Sequence, residues 1–175
     1  LITQQILEKV EPTTIILSDA LPGLEIPVTQ DMDIALKELM PELQHRKDSL
    51  TDSGLDPKKY PYIALLIPNL GTTFDKVSNE SMKRLNSIAV LGERLNVILI
   101  VQGLAEDINR LYNAGDAFTN SLVRQASALL VGGKASAHRA IPANLSLTEQ
   151  NMCLEAGQGY WVKNGKIIKI KLLQM

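Results

Sequence analysis

Several apolar runs without polar alternation occur along this sequence, and each has the length of a β-strand. Such runs are typical of strands covered on both faces, as in a parallel sheet. A shorter β-branched stretch near the amino terminus adds a further strand to the pattern. We therefore expect a parallel core built from four strands, near residues 14–18, 61–67, 96–101 and 128–131.

Segments with helical spacing of apolar residues separate these runs, so strands and helices alternate along the chain. The predicted helices cover about 1–10, 31–45, 78–91, 104–112, 116–125 and 146–156. Pro41 should kink or split the second helix. His45 to Asp48 is expected to end it as a solvated turn, followed by a loop over 49–60. This alternation predicts an α/β fold, with helices on both faces of a mostly parallel, three-layer sheet.

The tail carries a hairpin signal. Asn164-Gly165 stands between two apolar-rich segments, and this dipeptide favours a two-residue turn. We expect an antiparallel edge hairpin over 159–172. The chain is predicted to be one domain, 1–175. Because it starts at Leu1 and its first helix has no N-cap, we expect that domain to be truncated at its amino terminus.

Composition excludes several classes of function. The chain has 175 residues, 45% of them hydrophobic, and a net charge of −1 with both signs interspersed. A basic footprint for nucleic acid is therefore missing. No apolar run reaches the ~20 residues that span a bilayer. Cys153 is the single cysteine, which excludes an internal disulfide.

Ligands and catalytic groups in such folds lie beyond the carboxyl ends of the strands. After the central strand come Pro68 and Asn69, and no acid is present there. Asp19 follows the first strand, either as a site acid or, as we favour, as a turn residue. Gly132-Gly133-Lys134 does not complete the G-x-x-x-x-G-K-[ST] pattern of a phosphate loop, and a plain turn is favoured. No G-x-G-x-x-G follows a strand, which argues against a generic dinucleotide-binding domain.

Three further side chains could in principle bind a metal. They are His45, His138 and Cys153, and their spacing fits no zinc pattern. We therefore expect no metal site.

Six landmarks follow one another along the chain, at 1–19, 43–46, 61–67, 92–102, 120–131 and 156–165. Their order resembles the FtsK/SpoIIIE family of RecA-like ATPases, and within it the last ATPase module of type VII secretion ATPases. In that order they are similar to the end of a Walker A helix with its following strand, a Met-x-x-Arg-like helix, the Walker B strand, the segment ending in a sensor Gln, the next helix and strand, and the closing hairpin.

The resemblance assigns positions to individual residues. Pro68 and Asn69 stand where the family has the Walker B Asp and Glu, which hold Mg²⁺ and polarise the attacking water. Gln102 matches the sensor, although a strand-end Gln bonded to backbone is an equal alternative. Asn69 and Gln102 are thus the candidate nucleotide-binding residues. Arg124 and Arg139 are candidate subunit-interface residues. The resemblance implies no catalytic residue here, and it puts the Walker A loop before Leu1.

Two functions follow from the resemblance. One is a degenerate module of a type VII protein secretion motor, with a structural or substrate-docking role and little or no ATP hydrolysis. The alternative is an active ATP-binding translocase domain, acting on protein or DNA, with its Walker A loop supplied upstream. The missing acids favour the first. It implies neighbouring modules, homo-oligomer subunits and secreted proteins as partners, with no nucleic acid. It also implies no cofactor in this chain, ATP and Mg²⁺ in the parent protein at most, and a place at the cytoplasmic side of the bacterial membrane.

Overall fold

A computed structural model describes residues 2–53, 60–125 and 127–171. Its helices are α1 Ile2–Val10, α2 Met32–Ser53, α3 Leu70–Lys76, α4 Asn79–Leu91, α5 Ala105–Asn113, α6 Ala117–Gln125 and α7 Leu147–Asn151. Its strands are β1 Thr14–Leu17, β2 Ile63–Ile67, β3 Val97–Val101, β4 Ala128–Lys134, β5 Cys153–Lys163 and β6 Lys166–Lys171. Short 3₁₀ turns cover Gly92–Leu95 and Ala135–Ala137. The chain forms two compact units that meet in sequence between residues 104 and 105.

The first unit contains a parallel sheet in the order β1-β2-β3. Thr14 pairs with Ile63, and Ile63 pairs with Val97. Every residue of the central strand β2 is buried, as its unbroken apolar sequence predicts. The α/β class and the parallel arrangement of the first three strands are therefore confirmed.

The second unit contains a separate antiparallel sheet in the order β4-β5-β6. The hairpin is confirmed: Asn164 and Gly165 have φ of 51° and 73°, as a two-residue turn of this type requires, and Lys163 pairs with Lys166. Residue 172, the last of the predicted hairpin, lies outside the described residues. The placement of 128–131 in the parallel core is wrong, because β4 pairs antiparallel with β5.

The helix predicted over 146–156 is too long. The capping box of Ser146 and Glu149 is present, but α7 ends at Asn151 and β5 begins at Cys153. Gly157 has a φ of 78°, which lies outside the α-helical region, and glycine is a poor helix former. The extra length lets β5 pair with β4 on one side and β6 on the other.

The second helix also differs from its prediction. Pro41 lies inside α2 without splitting it, and the helix continues to Ser53. The predicted loop over 49–60 is therefore wrong for 49–53, while residues 54–59 lie outside the described part of the chain. The turn predicted at His45–Asp48 is wrong as well, since Arg46 is only 2% exposed. A further helix, α3, was not predicted.

Within the described ranges, none of the helices has the length and apolar character needed to cross a membrane.

Candidate functional site

The ends of β2 and β3 meet at one edge of the parallel sheet. The Gln102 backbone N–H donates to the Ile67 carbonyl at 2.8 Å, and the Leu70 N–H donates to the Gln102 carbonyl at 2.9 Å. These two bonds continue the pairing of the strands beyond their last residues. Asn69 and Gln102, the two predicted nucleotide-site residues, therefore belong to the same strand-end edge.

Asn69 is the N-cap of α3. Its Oδ1 accepts a hydrogen bond from the Thr72 backbone N–H at 3.2 Å, which satisfies one of the free donors of the first turn. The backbone of Asn69 is extended, with φ of −140° and ψ of 97°, as a cap position needs. The side-chain acceptor at this strand end is thus used to begin a helix, and this explains why α3 starts directly after β2.

A pair of hydroxyls lies beside this cap. Ser18 Oγ, after β1, and Thr73 Oγ1, in α3, are hydrogen-bonded at 2.9 Å, and Thr73 is buried. Asp19, the neighbouring carboxylate, accepts a hydrogen bond from the Ala20 N–H through Oδ1 at 2.9 Å. This bond joins Asp19 to the next residue of the chain, within the bend that follows β1. The groups on this edge are therefore hydroxyls, amides and one carboxylate.

The opposite end of the same sheet carries a buried cation. The Arg46 guanidinium donates to the carbonyls of Pro61 and Leu95 at 2.9 and 2.8 Å, and its Nε donates to Glu42 at 2.8 Å. Its central carbon lies 5.1 Å from the centroid of the Tyr60 ring. Because Pro61 precedes β2 and Leu95 precedes β3, Arg46 ties α2 to the starts of two strands. These partners are backbone carbonyls, Glu42 and an aromatic ring of the same unit, so the role of Arg46 is structural.

Comparison with solved structures identifies the fold. The first match, EssC (ATPases 2 and 3) from Geobacillus thermodenitrificans, has a TM-score of 0.76 and 22% identity, and covers 98% of this chain. The second, the cytoplasmic domain of EssC, has a TM-score of 0.67 at the same identity and coverage. The chain has the fold of an EssC ATPase module. It spans 34% of the length of each of these EssC chains. No protein-family model matches the sequence, and no curated protein does.

In this EssC-like chain the two predicted interface arginines both lie in the second unit. Arg124 is in the last turn of α6 and Arg139 follows the 3₁₀ turn Ala135–Ala137, and both side chains are exposed. Arg124 also borders a small cleft of about 40 Å³ together with Asn164 and apolar side chains. The structure therefore places these residues in a different unit from Asn69 and Gln102.

The predicted metal candidates do not form a site among the described residues, where no group of three or more His, Cys, Asp or Glu could hold an ion. His45 packs edge-on against Tyr60, with ring centroids 6.4 Å apart. Burial lowers the pKa of His138, although its hydrogen bond with the Gly132 backbone acts in the opposite direction. Cys153 is exposed.

Sequence reasoning missed two positions in the EssC-like fold. The sequence predicts Arg46 in a solvated turn and does not single out Thr73. A signal for Arg46 existed, because Leu36, Leu39, Leu43 and Arg46 follow one another at helical spacing on the buried stripe of α2. No comparable pattern marks Thr73, which depends on the unpredicted helix α3.

Proposed function

We propose that this chain is a module of a type VII protein secretion motor that keeps the ATPase fold and hydrolyses little or no ATP. Its role is structural or substrate-docking. The observation that carries the proposal is Asn69, the residue at the end of the central strand. Its side chain caps α3, and Pro68 before it offers no side-chain ligand.

The chemistry of phosphoryl transfer supports this reading of the strand end. Transfer depends on a phosphate-cradling loop, an acid that holds Mg²⁺ and a group that orients the attacking water. An amide takes no proton, and general-base catalysis is worth roughly 10²–10⁴ in rate. The sequence also contains no G-x-x-x-x-G-K-[ST]. These 175 residues therefore supply neither the phosphate loop nor, after the central strand, the two Walker B acids.

The rest of the proposal follows from the EssC-like fold. The module would work beside further ATPase modules of the same protein and in a homo-oligomer, on the cytoplasmic side of the bacterial membrane. Secreted proteins would be its cargo, and ATP with Mg²⁺ would belong to other parts of the parent protein. The overall charge is close to neutral, at −1, and this gives no support to DNA as the cargo.

One observation favours the alternative of an active translocase. Gln102 is exposed at the end of the strand next to Asn69, the place where a sensor residue could reach a nucleotide. The alternative takes its Walker A loop from upstream of this chain. Phosphate release with ATP and Mg²⁺ therefore separates the two functions only when it is measured on a longer piece of the parent protein as well as on the purified chain. We expect release no higher than that of a mock preparation.

The informative variants keep the cap intact. Asn69→Ser removes the amide yet leaves an oxygen that can cap α3, and Asn69→Asp adds a carboxylate at the same place. Neither should change phosphate release. Release above the mock level that Asn69→Ser or Gln102→Ala abolishes would instead support the active translocase.

A further inference from the structure

Strand β6 leaves one edge of the antiparallel sheet open. It pairs with β5, and no other strand of the described chain pairs with it. In a two-residue hairpin the residues that flank the turn exchange both backbone hydrogen bonds, and the pattern then alternates. Because Lys163 and Lys166 flank the turn, the backbone groups of Ile167, Lys169 and Lys171 point away from β5. They offer donors and acceptors to a further strand.

One face of this sheet carries exposed apolar side chains. Leu129, Trp161 and Ile168 are aligned across the three strands, and Trp161 and Ile168 are 38% and 62% exposed. The opposite face, with Leu130 and Tyr160, is buried in the core of the second unit. The apolar row therefore ends at Ile168, on the open strand, where no further strand of the described chain continues it.

On the same face, Gly159 lies two residues further from the turn than Trp161, and it has no side chain. It pairs with Val131 and Ile170, and a Cβ added to it would lie 2.9 Å from the Leu130 carbonyl oxygen. The face thus has no side chain at the centre of this second row, between two apolar residues of which Val131 is exposed. A side chain from a partner could lie over this position.

Lysines surround the open edge. Lys163, Lys166, Lys169 and Lys171 all lie on the hairpin, and no acidic residue is present in β4 or β6. Lys169 Nζ contacts Met152 Sδ at 3.8 Å, and its charge also acts on Glu149. Residues 105–175 contain eight Lys and Arg against five Asp and Glu, a net charge of +3, whereas the whole chain has −1.

We propose that this edge binds an extended peptide of alternating acidic and apolar residues, which adds as a strand to β6. Apolar side chains of the peptide would continue the row at Ile168, and its acidic side chains would face Lys169 and Lys171 on the other side of the sheet. Backbone hydrogen bonds supply affinity in this mode, and alternate side chains supply specificity. The proposal rests on the docking role proposed above and names the chemistry of the docked segment.

The lysines have a second consequence that fits this partner. Edge lysines prevent like-charged or neutral strands from pairing, which protects a protein from aggregation. An acidic strand is the one kind that gains from them, so the same charges that block unwanted pairing select this ligand. An anionic membrane would also attract the lysines, but lipid headgroups do not supply the row of backbone partners that the open edge of β6 lacks.

Fluorescence anisotropy tests the proposal with the 175-residue chain and a labelled peptide of alternating Glu and Val, about as long as β6. We expect saturable binding, and none to a peptide of alternating Lys and Val. A peptide with the same composition arranged as a Glu block and a Val block should bind at least about tenfold more weakly, since only alternation places the two kinds of side chain on opposite faces.

Matched variants locate the site. Lys169→Glu with Lys171→Glu should weaken binding about tenfold or more, since it replaces attraction by repulsion. Lys37→Glu with Lys47→Glu, on exposed positions of α2, has the same charge change and should leave affinity within about twofold. Lys169→Pro should bind more weakly than Lys169→Gln, because both lose the charge but only proline loses the outward N–H.

The proposal would be overturned if the β6 double variant bound the peptide as tightly as the α2 double variant. It would also be overturned if Lys169→Pro bound as tightly as Lys169→Gln. Binding to vesicles of phosphatidylserine and phosphatidylcholine by a chain that does not bind the peptide would overturn it as well. None of these measurements involves ATP. Failure here would therefore leave the phosphate-release result standing, and phosphate release would leave the peptide result standing.

Discussion

Arg46 Nη1 and the backbone carbonyl of Leu95, 49 residues apart in the chain, are joined by a buried hydrogen bond of 2.8 Å. The same nitrogen donates to the carbonyl of Pro61. One guanidinium therefore satisfies two carbonyls that precede neighbouring strands, and it fixes where β2 and β3 begin relative to α2. Few side chains other than Arg could do this, because its donors form a rigid, planar fork.

Replacing Arg46 should destabilise the first unit. Arg46→Ala leaves two carbonyls without their partner and removes the packing on Tyr60, so we expect a loss of about 2–3 kcal/mol in the free energy of unfolding. Lys47→Ala, at the next and exposed position of α2, should change it by less than about 0.5 kcal/mol. Urea unfolding followed by circular dichroism measures both, and equal stabilities for the two variants would show that Arg46 contributes no more than a surface residue.

A pH-dependent contact involves Asp33 at the start of α2. Its carboxylate accepts the Ser78 backbone N–H at 3.1 and 3.3 Å, at the N-cap of α4. The hydroxyl of Ser81, and then the Ser78 N–H, lower the pKa of Asp33 below its usual value of 3.8. A carboxyl whose pKa is lowered by folding stabilises the protein above the unfolded-state pKa. That stabilisation is lost as the pH falls through the folded-state pKa.

Asp33→Asn should therefore be less stable than the parent at neutral pH, by about 1 kcal/mol. The difference should shrink as the pH falls below 3.8, where the parent also loses its charge. Thermal unfolding at a series of pH values measures this difference. Glu38→Gln, at an exposed position of the same helix, is the control. A constant difference between Asp33→Asn and the parent from neutral to acid pH would contradict the expected linkage.

The Asn69 cap makes a prediction about stability that is separate from activity. Asn69→Ala removes the acceptor for the Thr72 N–H and should lower the free energy of unfolding by about 1 kcal/mol. Asn69→Ser and Asn69→Asp keep an oxygen acceptor, so their free energies of unfolding should differ from that of the parent by only a few tenths of a kcal/mol. Chemical unfolding ranks the three variants. If all three lost the same amount, the amide itself, and not its role as a cap, would be what the fold requires.

Tyr160 carries a buried hydroxyl for which the described residues supply no hydrogen-bond partner. Removing an unsatisfied buried polar group relieves a desolvation cost, so Tyr160→Phe should leave stability unchanged or raise it by about 1 kcal/mol. Tyr160→Ala should lower it by about 3–5 kcal/mol because it empties the core of the second unit. A clear loss of stability in Tyr160→Phe, seen in thermal melts, would reveal that the hydroxyl has a partner such as a buried water.

The fold could be predicted from the sequence where an apolar run is compatible with only one kind of structure. Five consecutive buried residues in β2 fit a central parallel strand and little else. The run at 128–131 was different, because four apolar residues indicate burial without indicating the direction of a partner strand. That direction depends on β5, whose early residues were predicted as a helix after the capping box.

The candidate site was predictable only in part. Asn69 follows β2 and Gln102 follows β3. Because adjacent parallel strands end at the same edge of a sheet, the sequence predicts that these two residues share an edge, and the structure brings their backbones together. That Asn69 would cap a helix could not be predicted, because Leu70–Lys76 lacks the length and apolar spacing by which helices are recognised. Arg46 was misplaced because its polar neighbours masked its position on an apolar stripe.

The strand orders β1-β2-β3 and β4-β5-β6 have a consequence for biosynthesis. Within each sheet, every strand after the first pairs with the strand that precedes it in the chain, so no strand waits for a partner made after the next one. A ribosome would release β1, β2 and β3 in the order in which they assemble, and the same holds for the later sheet. Where similar modules follow one another in a single polypeptide, sequential pairing of this kind limits the exchange of strands between them, which is a common failure in multidomain chains.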